Sequence, residues 1–456
     1  MSRRIGSLLS YVFSATACAV FAVAAVASPL DRSLQRQANA ILAQYFDPEG
    51  PGAVVAVARG DELLLRVGYG LADLDAATVL GPDSVFDLAS VSKQFTAAAI
   101  LLLEADGKLR LNAAIREYLP DFDVAEFGRA ITVADLLHHT SGLDDYSGDA
   151  FDLGETAFAR LTPESHLRWL NNTSALRKPG TRFEYNNSGY ALLALLIERL
   201  SGQSYREFVQ ERLFDPVGMA STQVMDLLSK PIAGAVTGYS SADGEATVSA
   251  TPSQITGDGN IFSNIDDMLA WCSALHRGQP LSHSALERMW TSAKLDSGEA
   301  IDEDGEGYGL GWFVDHDTGD VFHSGSWSGT ATFIAHQYQS DLFVIVLSND
   351  EDAAVSEIAE PAGLPHSLLV LVHQQREAGA KPLQQKEPSF VNEGCGWRNP
   401  CRAPAHRRRP PTVGLTELSA PTAAPKAGRK IHLESLPARP PIPNLPATPK
   451  QKPVRW

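Results

Sequence analysis

Phe86-Asp87-Leu88-Ala89-Ser90-Val91-Ser92-Lys93-Gln94-Phe95-Thr96 is the stretch whose reading governs all the rest. From Phe95 to Leu103 nearly every residue is apolar, which predicts a helix buried on almost all sides with Ser90 at its first turn. A helix of that kind has little reason to admit a lysine. Positions three apart share a helix face, so Lys93 sets its amine beside the Ser90 hydroxyl. Burial disfavours an ammonium, which suits the amine to accept the serine proton, and backbone N–H groups at the helix start suit a developing oxyanion. A capping serine next to a snorkelling lysine would account for the same residues. S-x-x-K occurs nowhere else in the chain, however.

Outward from that helix, the chain alternates in kind. Arg32 to Phe46 reads as a helix with Leu34, Ala38, Ile41, Leu42 and Tyr45 on one face. Gly52 to Ala58 and Leu63 to Val67 read as strands of a hairpin, turned at Arg59-Gly60-Asp61-Glu62. Beyond the quoted stretch, Pro163 to Asn171, Tyr190 to Leu200 and Tyr205 to Leu213 have helical spacing, with Pro163 at a first position and Gly202 at a C-terminal cap. Strands return at Gly309 to Val314, Ala331 to Ala335 and Leu342 to Leu347. An α+β unit follows, its antiparallel sheet built from N- and C-terminal strands around a large helical middle.

The 456 residues are 44% hydrophobic and 20% charged, which excludes a wholly disordered chain. The net charge of −16 is unevenly spread: from Leu371 onward there are 15 Lys+Arg against 5 Asp+Glu, leaving 23 against 49 in residues 1–370. An acidic body repels a phosphate backbone, so no nucleic-acid partner is expected. Residues 1–27 read as a secretory signal: Arg3 and Arg4, an uncharged apolar run, then Ala25-Val26-Ala27 before Ser28. That places the protein outside the cytoplasm, periplasmic or extracellular, whether the signal is cleaved or kept as an anchor. Residues 28–370 form the folded domain. Residues 371–456 hold 15 of the 28 prolines and too few branched apolar residues for a core, so a disordered tail is expected, able to touch an anionic envelope surface through its charge. Cys272 follows a helix-like run and reads as a buried, inert thiol; Cys395 and Cys401 lie in the tail without metal-ligand spacing.

Two further elements follow the helix in order. Arg182-Phe183-Glu184-Tyr185-Asn186-Asn187-Ser188-Gly189-Tyr190 holds the sole Y-x-N, in a loop before a helix, where a hydroxyl and an amide can both reach into a cleft; an Asn-rich turn is the plainer reading. Val321-Phe322-His323-Ser324-Gly325-Ser326-Trp327-Ser328-Gly329 reads as an edge strand whose glycine lets a ligand approach the backbone. His138-His139 lack carboxylate support, so neither a metal nor another cofactor is expected.

Together S-x-x-K, Y-x-N and H-x-G resemble the serine β-lactamase and penicillin-binding-protein superfamily, specifically its class C branch. The resemblance covers about residues 30–370 and is extended by Leu136 to Leu143, Pro179-Gly180, Gly257-Asp258-Gly259 and Tyr308 to Trp312. It implies a β-lactamase/transpeptidase-like fold and a serine hydrolase working through an acyl-enzyme. Ser90 would be the nucleophile, Lys93 and Tyr185 the proton-transfer pair, and Asn187, His323, Gly325 and Ser326 the substrate-binding residues. Ser326 would pair with Ser90 in a backbone oxyanion hole. His323 departs from the lysine usual in lactamases, and a neutral imidazole reads a carboxylate poorly. Esters or D-amino-acid peptides are therefore expected over β-lactams, and His323→Lys is expected to shift reactivity toward β-lactams. A β-lactamase and a non-turnover cell-wall peptide binder remain the alternatives.

Overall fold

The computed structural model describes residues 29–125, 128–147, 161–225, 231–242, 244–251 and 253–359, with side chains from residue 35 onward. The expected leader, the proline-rich tail and Cys395 and Cys401 lie outside the described residues. The large sheet comprises β1 (Ala53–Arg59), β2 (Glu62–Tyr69), β3 (Glu306–Tyr308), β4 (Phe313–Asp315), β5 (Val321–Trp327), β6 (Thr330–Gln337) and β7 (Leu342–Ser348). Its order is β3-β4-β5-β6-β7-β1-β2 and every pairing is antiparallel. The expected closure is present: Ala53 lies opposite Ser348 and Arg59 opposite Leu342. β1 and β7 carry almost unbroken apolar runs because both faces of the sheet are covered.

On one face, α1 (Pro29–Leu42) and a short helix at Val355–Ala359 pack Ala38, Leu42 and Ile358 against Val55, Val57, Val344 and Val346. On the other, Val54, Ala56, Ile345 and Leu347 meet α2 (Lys93–Ala105) and α4 (Ile265–His276), with α3 (Asn187–Ser201) beyond. Phe95 of α2 sits 4.7 Å from Trp271 and 5.4 Å from Phe214. Burying one such ring contributes about 1.5–3 kcal/mol. That packing anchors the end of α2 next to Ser90.

Local departures from the sequence reading have local causes. The strand expected over Gly309 to Val314 is two strands separated by a turn. Gly311 has φ +76°, and a Cβ there would lie 2.8 Å from the Lys93 carbonyl, so this turn is where β3 and β4 press on α2. α3 begins earlier than expected because the Asn186 side chain caps it, accepting from Gly189 N at 2.8 Å, which moves Asn187 from loop into the first turn. Gly202 ends it at φ +76°, as expected. The helix from Tyr205 gives way after Val209 to a wider π turn over Gln210–Phe214. Tyr45, expected on the buried face of the first helix, lies past its end and is exposed. Nor does β5 lie at the edge of the sheet. Within β5, β4 pairs only with Phe322 and Val321, so the stretch from His323 to Trp327 keeps one side unpaired by β4.

Candidate active site

Ser90 sits in a 3₁₀ turn, Ala89–Ser92, that runs directly into α2. In that geometry residues three apart eclipse, which brings the Lys93 amine to 3.0 Å from Ser90 Oγ. The turn is preceded by strain, since Ala89 has φ +47°, a conformation costing of order 1–3 kcal/mol for a non-glycine residue. Its neighbours hold it there. Asp87 Oδ1 accepts from Ala89 N at 2.9 Å, and the Leu88 carbonyl accepts from Thr332 Oγ1 of β6 at 2.8 Å. Neither Leu88 nor Ser92 makes a side-chain cap at the two helix starts.

Lys93 is fully buried, and its amine meets three groups: Ser90 Oγ at 3.0 Å, Asn187 Oδ1 at 2.8 Å and the Asp258 carbonyl at 2.8 Å. The last two can only accept. Those two acceptors hold the amine in place, with Ser90 Oγ within hydrogen-bond reach as its third partner. The Tyr185 ring centroid is 4.9 Å from the amine, and the Tyr185 hydroxyl is buried without a partner among the described residues. Asn187 is oriented from behind. Asp145 Oδ2 accepts from its backbone N at 2.9 Å and its Nδ2 at 3.4 Å, and Ser147 Oγ accepts from Nδ2 at 3.3 Å. Its amide donor is thus turned to its own loop and its oxygen to Lys93.

His323 lines the cleft wall but is 1% exposed. Its Nδ1 lies 2.6 Å from the Ser324 carbonyl, an acceptor, so Nδ1 carries the proton; Nε2 then accepts from Tyr308 OH at 3.1 Å. Burial, followed by the nearby Lys93 charge, pushes this imidazole down to about 3 against the Ser324 bond, and it is neutral at ordinary pH. With both nitrogens engaged, it has no donor left for a substrate carbonyl in this arrangement. Gly325 also has a different use from the one expected. A Cβ there would lie 2.4 Å from Thr332 Oγ1, 2.5 Å from the Leu88 carbonyl and 3.0 Å from Ser90 N, so what approaches this glycine is the chain's own nucleophile turn. Ser324 and Ser326 alternate outward and line the cleft.

The cleft encloses about 480 Å³, and Ser90, Tyr185, Asn187, His323 and Ser326 all line it. Lys93 lies beneath, and Gly325 forms the contact behind. Residues that sequence reasoning gave no role complete it. Tyr146 OH donates to Asp258 Oδ2 at 2.5 Å, and Tyr146 N donates to Ser188 Oγ at 3.0 Å, which His166 Nε2 meets at 3.1 Å. Asp258 Oδ1 is buried without a partner among the described residues. Burial raises the Asp258 carboxyl, against the Lys93 charge and the Tyr146 bond. Burial also lifts Asp87 to about 7, with the Asp258 charge adding to it. Asp87 and Asp258 were visible inside quoted stretches, as acids in apolar or Gly-rich company; Asp145 and Tyr146 gave no signal. His138 and His139 have backbone partners, Gly309 O and Asn186 N, so they serve the loops. Cys272 is buried, which pushes its thiol up.

This sheet, with the S-x-x-K turn at its cleft, defines a serine hydrolase of the β-lactamase/transpeptidase-like fold. The sequence profile of the family described as Beta-lactamase matches residues 38–364, and the chain belongs to that family. It is 30% identical over 357 residues to penicillin-binding protein 4* of Bacillus subtilis (strain 168), covering 74% of this chain and 76% of that protein. The octameric penicillin-binding protein homologue from Pyrococcus abyssi superposes with a TM-score of 0.64 at 27% identity, over 74% of this chain and 77% of that one. The D-amino acid amidase from Ochrobactrum anthropi SV3, at 21% identity and a TM-score of 0.62 over 76% of this chain and 100% of that one, shares the fold.

Proposed function

We propose that this protein hydrolyses esters or D-amino-acid amides and peptides through an acyl-enzyme on Ser90. One observation carries the reading: the buried Lys93 amine lies 3.0 Å from Ser90 Oγ, held there by Asn187 Oδ1 and the Asp258 carbonyl, within reach of the hydroxyl proton. Lys93 takes the Ser90 proton as Oγ attacks the carbonyl carbon. Backbone N–H groups of Ser90 and Ser326 hold the oxyanion, and the carbon–leaving-group bond breaks with the proton passed on through Lys93 and Tyr185. Water then attacks the acyl carbon, gives a proton to the same pair and releases the acid with Ser90 restored. The preference for esters and D-amino-acid amides over β-lactams rests on the neutral His323, which offers a substrate carboxylate no charge. Action outside the cytoplasm rests on the leader in residues 1–27. Intact-mass analysis after incubation with a p-nitrophenyl ester and, separately, a fluorescent penicillin tests the reading. A single acyl adduct on Ser90 that turns over with the ester is expected; an unmodified Ser90 with both reagents would sink it.

A further inference from the structure

The charge of the cleft carries the substrate reading one step further. Among the described residues no lysine or arginine lines the cleft, and its formal charges are the carboxyls of Asp87 and Asp258. The cations that a substrate anion would look for are withheld. Lys93 is fully buried beneath the wall with each of its N–H positions facing a partner, and His323 is neutral with both nitrogens engaged. Asp258 is 8% exposed and keeps Oδ1 without a partner among the described residues. Four aromatic side chains, Tyr146, Tyr185, Phe313 and Trp327, share the lining with these acids. Carboxylates with aromatic side chains in the same wall are surroundings in which an ammonium group is held, by Coulomb attraction and by the ring quadrupoles together.

We propose that the cleft selects acyl donors bearing a positive charge, a primary or quaternary ammonium, near the reacting carbonyl, and that Asp258 and Asp87 are the residues that read it. This rests on the acyl-serine reading above and adds the substrate's charge to it. The two acids sit on opposite sides of the reacting centre in sequence, Asp87 just before the nucleophile turn and Asp258 on the loop whose carbonyl holds Lys93. A cation bound there favours the ionised form of both buried carboxyls, whereas a substrate carboxylate drives them further toward the neutral form.

Matched 4-nitrophenyl esters test this, with each rate divided by that ester's spontaneous hydrolysis. Trimethylammonioacetate is the cationic acyl group, 3,3-dimethylbutanoate its neutral isostere, and succinate the anionic member. The full-length wild type is expected to prefer the cation over the isostere by about tenfold in kcat/KM, and to process the succinate ester at least tenfold more slowly than the isostere. In Asp258→Asn, and separately in Asp87→Asn, the cation-to-isostere ratio is expected to fall to within about twofold of unity. A ratio needs no correction for the folded fraction, so a variant that folds poorly still reports. Turnover of the neutral ester with a wild-type ratio at or below one, or a ratio that survives both substitutions, overturns the charge inference and leaves the hydrolase reading standing. No adduct on Ser90 from any of the three esters removes the hydrolase reading itself, and this inference with it.

Discussion

Lys93 is the residue on which the site turns, because its amine ties together three segments far apart in sequence: the nucleophile turn, the start of α3 and the loop at Asp258. Ser90→Ala removes one of those ties and a hydroxyl that caps nothing. The expected cost is about 1 kcal/mol, seen as a small fall in Tm, with complete loss of the acyl adduct by intact mass. Adduct formation near the wild-type level in that variant would place the nucleophile elsewhere. His323→Lys is now expected to act differently from a swap of specificity. It removes the bonds to Tyr308 and Ser324 and sets a second cation beside Lys93 in a buried place, a change of the kind that costs about 3–5 kcal/mol. A markedly lower Tm without gain of β-lactam turnover is the outcome that fits. A stable variant that hydrolyses β-lactams would return His323 to the role first expected of it.

At the scale of elements, β5 and the nucleophile turn meet with no room for a side chain at Gly325. Gly325→Ala pushes the strand off Leu88 and Ser90, and misplacing reacting groups by about 1 Å costs on the order of a hundredfold in rate. Far-UV circular dichroism close to wild type, with kcat/KM down by about that factor, is expected; full activity would mean the contact yields. The helix Pro163–Leu170 offers a test by pH. Burial pushes its His166 down to about 3 from an ordinary 6.5, so below 6.5 the unfolded chain binds a proton that the folded chain refuses. This group's contribution is therefore lost as pH falls from 6.5 toward 3, by about 1.4 kcal/mol per pH unit. The stability gap between wild type and His166→Gln should narrow by about 2 kcal/mol between pH 7.5 and pH 5. Denaturant titrations at the two pH values would show it, and an unchanged gap would mean that the folded protein protonates His166 normally. Elements also set how much could be read in advance. Ser90 and Lys93 stand three residues apart on one turn, so local spacing sufficed. The Asn187 contact with Asp145 spans 42 residues and the Tyr146 contact with Asp258 spans 112, and no periodicity reports such pairs. The turn inside Gly309 to Trp312 escaped because Gly311 serves contact with α2 and Gly309 with the backbone at Met289, which a strand pattern does not encode.

Over the whole molecule, the helical middle and the two sets of strands were legible because long apolar runs have few alternatives, whereas strand order depended on partners that only the folded chain reveals. A chain ending at residue 375 is expected to keep ester turnover, since the family match stops at residue 364. Loss of activity in that truncated form would give the following 81 residues a part in the fold or the chemistry. The pairing of Ala53 with Ser348 has a bearing on how the protein is made. During synthesis β1 emerges almost 300 residues ahead of β7, its neighbour in the sheet. Until the ribosome has passed that point, β1 has β2 on one side and a row of unanswered N–H and C=O groups on the other. A nascent chain in that state offers an open edge to any other extended segment, so slow or interrupted translation before residue 348 is the stage at which this protein most needs a chaperone.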